Sequence, residues 1–170
     1  MVEVLNAEQR DIEGPGAVEW VGAMNATVAR SAAFAHSGTS SLAVTAVAAA
    51  QADVTLSVRS SAFAGQNWIA SVWIRHAVNH FPAVRLRFVN AGGATIQDYT
   101  VNPTPNTTGW FSASVAGIAP VGTATVTIRV QFFSNAAGAI SYIDDASLDD
   151  GSGGVVLSQT VSRILSTHTG

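Results

Sequence analysis

Two stretches far apart in the chain decide the fold: AHSGTSSLAVTA, residues 35–46, and AISYIDDASLDD, residues 139–150. In each stretch apolar and polar residues alternate, which predicts a β-strand with one face toward a core. The first stretch begins with a tight His-Ser-Gly turn. The second places two adjacent carboxylates, Asp144 and Asp145, inside a strand, where aspartate is depleted. Alternation requires neither feature, so both carry information beyond strand formation.

The rest of the sequence to residue 148 also predicts strands, separated by turns rich in Gly, Pro and Asn such as GPG, NAGG, NPTPN, APVG and SNAAG. No helix of more than two turns is expected before residue 150. Many short strands bounded by turns predict an all-β protein, a two-sheet antiparallel β-sandwich or jelly roll. The predicted strands are Val2–Leu5, Val18–Trp20, Ala26–Ala33, Ser41–Ala46, Asp53–Arg59, Trp68–His76, Ala83–Asn90, Thr95–Val101, Gly109–Val115, Ala124–Phe133 and Ile140–Leu148.

The DIEGPG motif (residues 11–16), Trp20, the HSG turn and the DD pair together resemble the jelly-roll carbohydrate-binding modules of the family four/nine type, in the galactose-binding-like group. The resemblance covers residues 3–149 and implies that residues 1–149 form one such domain. It also implies that Trp20, Trp68 and Trp110 are packing residues.

The resemblance further implies a structural calcium ion that ties the N-terminal segment to the last strand. Its ligands would be Glu13, backbone carbonyls in the stretch Ser37–Ser40, and Asp144. Calcium favours six to eight hard oxygen ligands, and neighbouring carboxylates otherwise repel each other. The alternative is that Asp144 and Asp145 accept backbone N–H bonds at a strand edge.

The chain after the resemblance divides into a Gly/Ser linker, residues 150–154, and a C-terminal tail, residues 155–170. Four aliphatic side chains of this tail, here called the tail stripe, recur with helical spacing: Leu157, Val161, Ile164 and Leu165. A strand is the alternative for the same segment, in which one face would carry Val156, Ser158, Thr160 and Ser162. The tail is interpreted as an assembly arm that docks on a neighbouring subunit. A fraying terminus is the alternative.

Strand alternation predicts that four of the eight arginines share one face that points away from the core. Val84, Leu86 and Phe88 are core-facing by pattern, so the residues between them point outward. In the resembled modules the corresponding concave face binds glycan, and arginine also suits a protein interface through bidentate contacts with carboxylates. An ordinary solvated face is the alternative. The predicted face comprises Trp73, Arg75, Arg85, Arg87, Gln97, Tyr99, Arg129 and Gln131.

Composition excludes several functions. The net charge of −3 predicts no binding to nucleic acid or to an anionic membrane. Charged residues make up only 11% of the chain, against roughly 25% in typical domains. Either a partner covers part of the surface, or the surface is polar without charge. The chain has no cysteine, and no apolar run is long enough to span a membrane.

No catalytic arrangement is evident, so the sequence predicts a protein that is not an enzyme. Glu13, Glu19, Asp53 and Asp98 do not pair at a spacing recognisable for acid–base catalysis. The four histidines match no zinc or catalytic signature.

Two functions remain. The first is a non-catalytic virion structural protein, a bacteriophage capsid decoration or minor tail protein, made in the host cytoplasm and binding other virion proteins or itself as a homo-oligomer. The start at Met1, the lack of an export signal, the few charges and the tail favour it. The pattern is also similar to modules on virion proteins of phages of GC-rich actinobacteria. The second is an extracellular stand-alone carbohydrate-binding module or adhesin that binds cell-surface polysaccharide.

Overall fold

A computed structural model describes residues 2–14, 19–57, 59–76, 81–104, 108–133 and 135–151. The predicted tail, with Leu157, Val161, Ile164 and Leu165, lies outside the described residues, as does most of the linker. In the described part, one short helix, α1 (Ala7–Asp11), precedes the strands. These are β1 (Trp20–Met24), β2 (Ala26–Ser31), β3 (Ser41–Ala46), β4 (Ala52–Leu56), β5 (Ser60–Ser61), β6 (Asn67–His76), β7 (Phe81–Val89), β8 (Thr95–Val101), β9 (Phe111–Ile118), β10 (Thr125–Phe133) and β11 (Ile140–Asp149).

The strands form two antiparallel sheets, which confirms the predicted β-sandwich. Sheet 1 has the order β1-β4-β10-β7-β8, with β5 also paired to β10. Sheet 2 has the order β2-β3-β11-β6-β9. Apart from the consecutive pairs β7–β8 and β2–β3, neighbouring strands in the two sheets are distant in sequence, as the crossing connections of a jelly roll require.

The core lies between the two sheets and is filled by the alternate apolar residues of each strand. In β6, for example, Ala70, Val72 and Ile74 are fully buried, while the residues between them are half-buried on the other side. Trp20 and Trp68 belong to this core, as predicted. The indole nitrogen of Trp20 donates to the backbone carbonyl of Gln9 at 2.9 Å, so its one polar atom is satisfied inside the core.

The N-terminal segment departs from its prediction. In place of the strand Val2–Leu5 the structure has a single bridge between Glu3 and Asp149, followed by α1. The helix begins because Asn6 and Gln9 form a reciprocal capping box: each side chain accepts the backbone N–H of the other, at 2.9 Å. Among the described residues, no helix has the length and apolarity needed to cross a bilayer.

Candidate functional site

The outer face of sheet 1, the side away from sheet 2, brings together much of the predicted arginine face. Residues directly opposite each other in an antiparallel pair project on the same side of the sheet. Arg129 of β10 lies opposite Arg85 of β7, and Gln131 lies two residues further along β10. Arg87 projects on the same side of β7. Four of the eight predicted residues are therefore neighbours on this face.

Two aspartates on the same face form ion pairs with these three arginines. Asp98 of β8 accepts two bonds from Arg87, at 2.8 and 2.7 Å, and one from Arg85 at 3.2 Å. Asp53 of β4 is fully buried and accepts bonds from Arg129 and, at 2.9 Å, from the side-chain amide of Gln131. Asp98 thus orients the guanidinium groups of Arg85 and Arg87, and Asp53 orients that of Arg129, through charge-assisted hydrogen bonds.

Three buried polar atoms on this face have no hydrogen-bond partner among the described residues. They are Nε of Arg85, Nε of Arg129 and Oε1 of Gln131. Gln131 is only 3% exposed. A buried polar group without a partner costs about 1–3 kcal/mol, so three of them on adjacent strands is an unusual local concentration. The two N–H groups are donors and the amide oxygen is an acceptor, and because all three atoms are covered from solvent, a ligand with both functions would reach them only after the side chains around them move.

An aromatic pair borders the polar atoms. Phe133 lies opposite Phe81 at the same end of the β10–β7 pair as Gln131, and both rings share the outer face. Phe81 is 54% exposed although phenylalanine is normally buried. The sequence pattern did not single out this pair. The pair can be recognised only when the two strands are aligned, because Phe133 then lies two residues beyond Gln131 on β10 and directly opposite Phe81.

The face predicted for Gln97 and Tyr99 of β8 was wrong, because the alternation was assigned one residue out of step. Tyr99 lies opposite Leu86 and its ring packs edge-on against Phe88 of the core, so it faces inward. Its hydroxyl donates to the carbonyl of Ile118 at 3.1 Å. Gln97 has the same parity as Tyr99. The residue of β8 that meets Arg87 on the outer face is therefore Asp98, which was considered only as a catalytic acid.

Trp73 and Arg75 were also grouped with the wrong sheet. Both lie on β6 and project from the outer face of sheet 2, on the opposite side of the sandwich from Arg85 and Arg129. Trp73 is covered by the β2–β3 loop, because the His36 ring stacks on it with a centroid separation of 3.7 Å. The guanidinium of Arg75 lies 4.0 Å from the centre of the Phe34 ring in the same loop. These two residues fix a loop.

The same loop is anchored by the carboxylates that the sequence singled out. Asp144 is fully buried and accepts the backbone N–H of His36 at 2.8 Å and of Ser37 at 3.3 Å. Asp145 has a left-handed backbone (φ 42°) and binds the His36 ring at 2.5 Å and the Ser37 hydroxyl at 2.7 Å. A register shift in the β11–β6 pairing follows Asp144, and such a bulge redirects side chains.

Glu13 holds the other end of this loop. Its Oε1 accepts the backbone N–H of Thr39 at 2.7 Å and of Ser40 at 2.9 Å, and its Oε2 accepts the Thr39 hydroxyl at 2.7 Å. These bonds, led by that of the Thr39 hydroxyl, hold the pKa of Glu13 below its ordinary value. Burial, in contrast, raises the pKa of Asp144 above its ordinary value despite the N–H bonds that it accepts.

The structure brings Glu13 and Asp144 to one loop, but it engages their oxygens with hydrogen-bond donors. Glu13 accepts three bonds and lies 3.7 Å from Arg30, and Asp144 accepts three bonds when the N–H of Asp145 is included. No group of three His, Cys, Asp or Glu side chains suited to a metal occurs in the described part of the chain. Calcium needs six to eight oxygens, so this arrangement does not fit the ion. Calcium binding stays a prediction from the resemblance.

Comparison with family models and with curated proteins finds no match. Solved structures do match. The CBM22-1 xylan-binding domain of Paenibacillus barcinonensis Xyn10C superposes with a TM-score of 0.62 at 15% identity, covering 82% of this chain and 90% of that one. Family 16 carbohydrate binding module-2 superposes with a TM-score of 0.61 at 17% identity, covering 86% and 98%.

A third match is the enzymatically active domain of tailspike protein 4 of bacteriophage CBA120. Its TM-score is 0.64 at 15% identity, and the match covers 86% of this chain but 21% of the tailspike chain. At these identities the likeness shows the fold alone. The chain therefore has the jelly-roll fold found in carbohydrate-binding modules, and the particular resemblance to family four/nine stays a prediction.

Proposed function

We propose that this protein is a non-catalytic glycan-binding module and that its ligand binds on the outer face of sheet 1. The observation that carries the proposal is the group of buried atoms without partners: Nε of Arg85, Nε of Arg129 and Oε1 of Gln131. A sugar hydroxyl donates one hydrogen bond and accepts others, so it can pair with the amide oxygen and a guanidinium N–H together.

The aromatic pair supports a saccharide over other hydroxylated ligands. Pyranose rings have apolar faces that pack on flat aromatic side chains, while the hydroxyls around the ring bind polar groups. Phe81 and Phe133 offer such a surface beside Gln131. Because Asp53 and Asp98 offset much of the arginine charge, the face suits neutral sugars as well as acidic ones. The fold likeness to a xylan-binding domain makes xylan a suitable first ligand.

Phe81→Ala provides the sharpest test, since an exposed ring contributes little to folding. Binding of the full chain is first measured by affinity electrophoresis and calorimetry against xylan, mixed-linkage glucan and polygalacturonate. For a bound polysaccharide we expect Phe81→Ala to weaken affinity by about 5- to 30-fold, the loss of roughly 1–2 kcal/mol typical of a contact residue.

Phe63→Ala is the matched control, because Phe63 is 69% exposed but lies in the β5–β6 connection. It should bind as the wild type does, and Gln131→Ala should bind more weakly while circular dichroism shows it folded. Equal affinity of Phe81→Ala and wild type for every bound polysaccharide would contradict the assignment of this face. Absence of binding to a broad glycan array would contradict the function.

A role in a virion is the second candidate, and the match to a phage tailspike domain favours it because this fold also occurs within a phage protein. Under this proposal the chain is a decoration or minor tail protein that binds other virion proteins or itself, and it resides in the particle. Mass analysis of purified particles tests it: the chain should be present in fixed stoichiometry. A glycan-binding decoration protein would satisfy both candidates.

A further inference from the structure

Four large apolar side chains are exposed at the end of the sandwich where β9 ends. They are 36 to 89% exposed, and we call them the end patch: Phe63, Ile96, Ile118 and Val121. Single exposed apolar residues are common on protein surfaces, but a group of large ones marks an interaction surface.

Hydrogen bonds and packing hold the segments of the end patch together. The backbone of Ala119, which follows Ile118, accepts the N–H of Gly65 at 2.8 Å and donates to the carbonyl of Gln66 at 2.9 Å. This joins the turn that carries Phe63 to the end of β9. On the other side, a Cβ placed on Gly122 would lie 3.7 Å from the terminal methyl carbon of Ile96, so the Val121 turn packs beside β8.

The described chain ends beside this patch. In sheet 2, β11 neighbours β6, which neighbours β9, and Asn67 of β6 lies opposite Ile118. Beyond β11, Gly151 is so close to Asn67 that an added Cβ would lie 2.6 Å from the Asn67 carbonyl oxygen. Gly151, Asn67 and Ile118 therefore lie in one row across three chain segments. At the usual strand spacing, Ile118 is roughly 10 Å from the point where the chain leaves the sandwich.

We propose that residues 155–170 of the same chain cover the end patch with their tail stripe. Residues 152–154 separate Gly151 from this segment, and an extended link from Gly151 to residue 155 spans roughly 13 Å, enough to reach the patch. So short a link gives the tail a local concentration in the millimolar range, which favours contact within one chain over contact between chains. This contact is separate from the proposed glycan site, because the aromatic pair of that site, Phe81 and Phe133, lies at the other end of β10 from the Val121 turn.

Paramagnetic labelling of the full chain tests the contact, and the lack of native cysteine makes it simple. A nitroxide on Ala116→Cys, an exposed position on the same face as Ile118, should broaden the NMR signals of residues 155–170. The same label on Val47→Cys, in the turn after β3, should leave them sharp. A mixed sample then distinguishes contact within one chain from contact between chains. It combines nitroxide-labelled protein without ¹⁵N and ¹⁵N-labelled protein without nitroxide, and the tail signals in it should stay sharp.

Amide exchange gives a second reading. In the wild type the tail stripe amides should exchange at least tenfold more slowly than in Ile118→Asp or Val121→Asp, whereas Val47→Asp should match the wild type. Sharp tail signals with the Ala116 label, or tail exchange as fast in wild type as in Ile118→Asp, would overturn the proposal. Broadening in the mixed sample would overturn it in favour of a second copy, as the assembly arm requires.

Discussion

Replacing Asp53 by Asn should destabilise the protein strongly, because this substitution keeps the shape of a buried side chain and removes its charge. Asp53 is fully buried on the outer face of sheet 1. It accepts bonds from Arg129, from Gln131 at 2.9 Å and from Gln51 at 2.7 Å. Asparagine has one acceptor oxygen and one donor NH₂ group, so at least one of these three donors would face another donor.

The expected magnitude follows from what the variant leaves unpaired. Removing one partner of a buried ion pair costs about 3–5 kcal/mol, and Arg129 retains some exposure, so a loss of about 3 kcal/mol in the free energy of unfolding is expected. For a domain of this size each kcal/mol shifts the melting temperature by about 2–4 °C, which gives a decrease of about 6–12 °C. Calorimetry measures the melting temperature, and urea denaturation measures the free energy of unfolding. The m-value should stay unchanged if only stability is affected.

The matched control is Asp11→Asn, the same chemical change at an exposed ion pair. Asp11 binds Arg10 at 2.5 and 2.9 Å, but both side chains are in contact with solvent. Exposed pairs contribute about 0–1 kcal/mol, so this variant should melt within a few degrees of the wild type. If the two variants melted at the same temperature, the view that Asp53 is the buried anchor of the arginine face would be refuted.

Three further predictions concern the β2–β3 loop and the charged groups. Gly38→Ala should destabilise more than Gly93→Ala in urea titrations: both have positive φ, which costs about 1–2 kcal/mol with a side chain, but only at Gly38 would the Cβ lie 2.3 Å from Glu13. Equal losses would show that the Glu13 contact is unimportant. Burial raises the pKa of Asp98, but the hydrogen bonds and charges of Arg87 and Arg85 outweigh burial and lower this pKa overall. The stability that Asp98 contributes is therefore present above its unfolded pKa and is lost as the pH falls through its folded pKa. Asp144 has the opposite pH dependence, because its pKa is raised in the folded protein. Its contribution to the free energy of unfolding therefore falls as the pH rises from its unfolded pKa to its folded pKa. When the free energy of unfolding is measured as a function of pH in the acid range, the curves of Asp98→Asn and Asp144→Asn should therefore deviate from that of the wild type in opposite directions. Calcium and a chelator should give the same melting temperature, because Glu13 and Asp144 already accept N–H bonds; a rise of several degrees with calcium would restore the predicted ion.

The strands were predictable from sequence because burial of one face imposes a period of two. The bounds of β3 and β8 are as predicted, and those of most other strands differ by a few residues. The segment before Trp20 was not predictable in this way. There Asn6 and Gln9 satisfy the first backbone groups of a helix locally, and such capping outweighs a short apolar alternation.

The candidate site was only half predictable, for two physical reasons. Alternation shows whether a side chain points inward or outward, but it does not show which sheet its strand joins, so Trp73 and Arg75 were assigned to the wrong side of the sandwich. In β8, an edge strand, most residues are exposed whichever way they point, so the parity of Gln97 and Tyr99 carried little information. Asp53 was detectable: like Asp144, it is an aspartate within a strand, where this residue is depleted.

The position of β11 in sheet 2 has a consequence for how the protein is made. This strand is the last along the chain among the described residues, yet it lies at the centre of its sheet, between β3 and β6. During synthesis the pair β2–β3 and the pair β6–β9 have no hydrogen-bonded link to each other until residues 140–149 leave the ribosome. Their facing edges stay unpaired for that interval, and unpaired edges are sites of mispairing with other chains. Folding of this sheet is therefore completed only after β11 has been synthesised, and a chaperone that shields strand edges should raise the yield of the native protein.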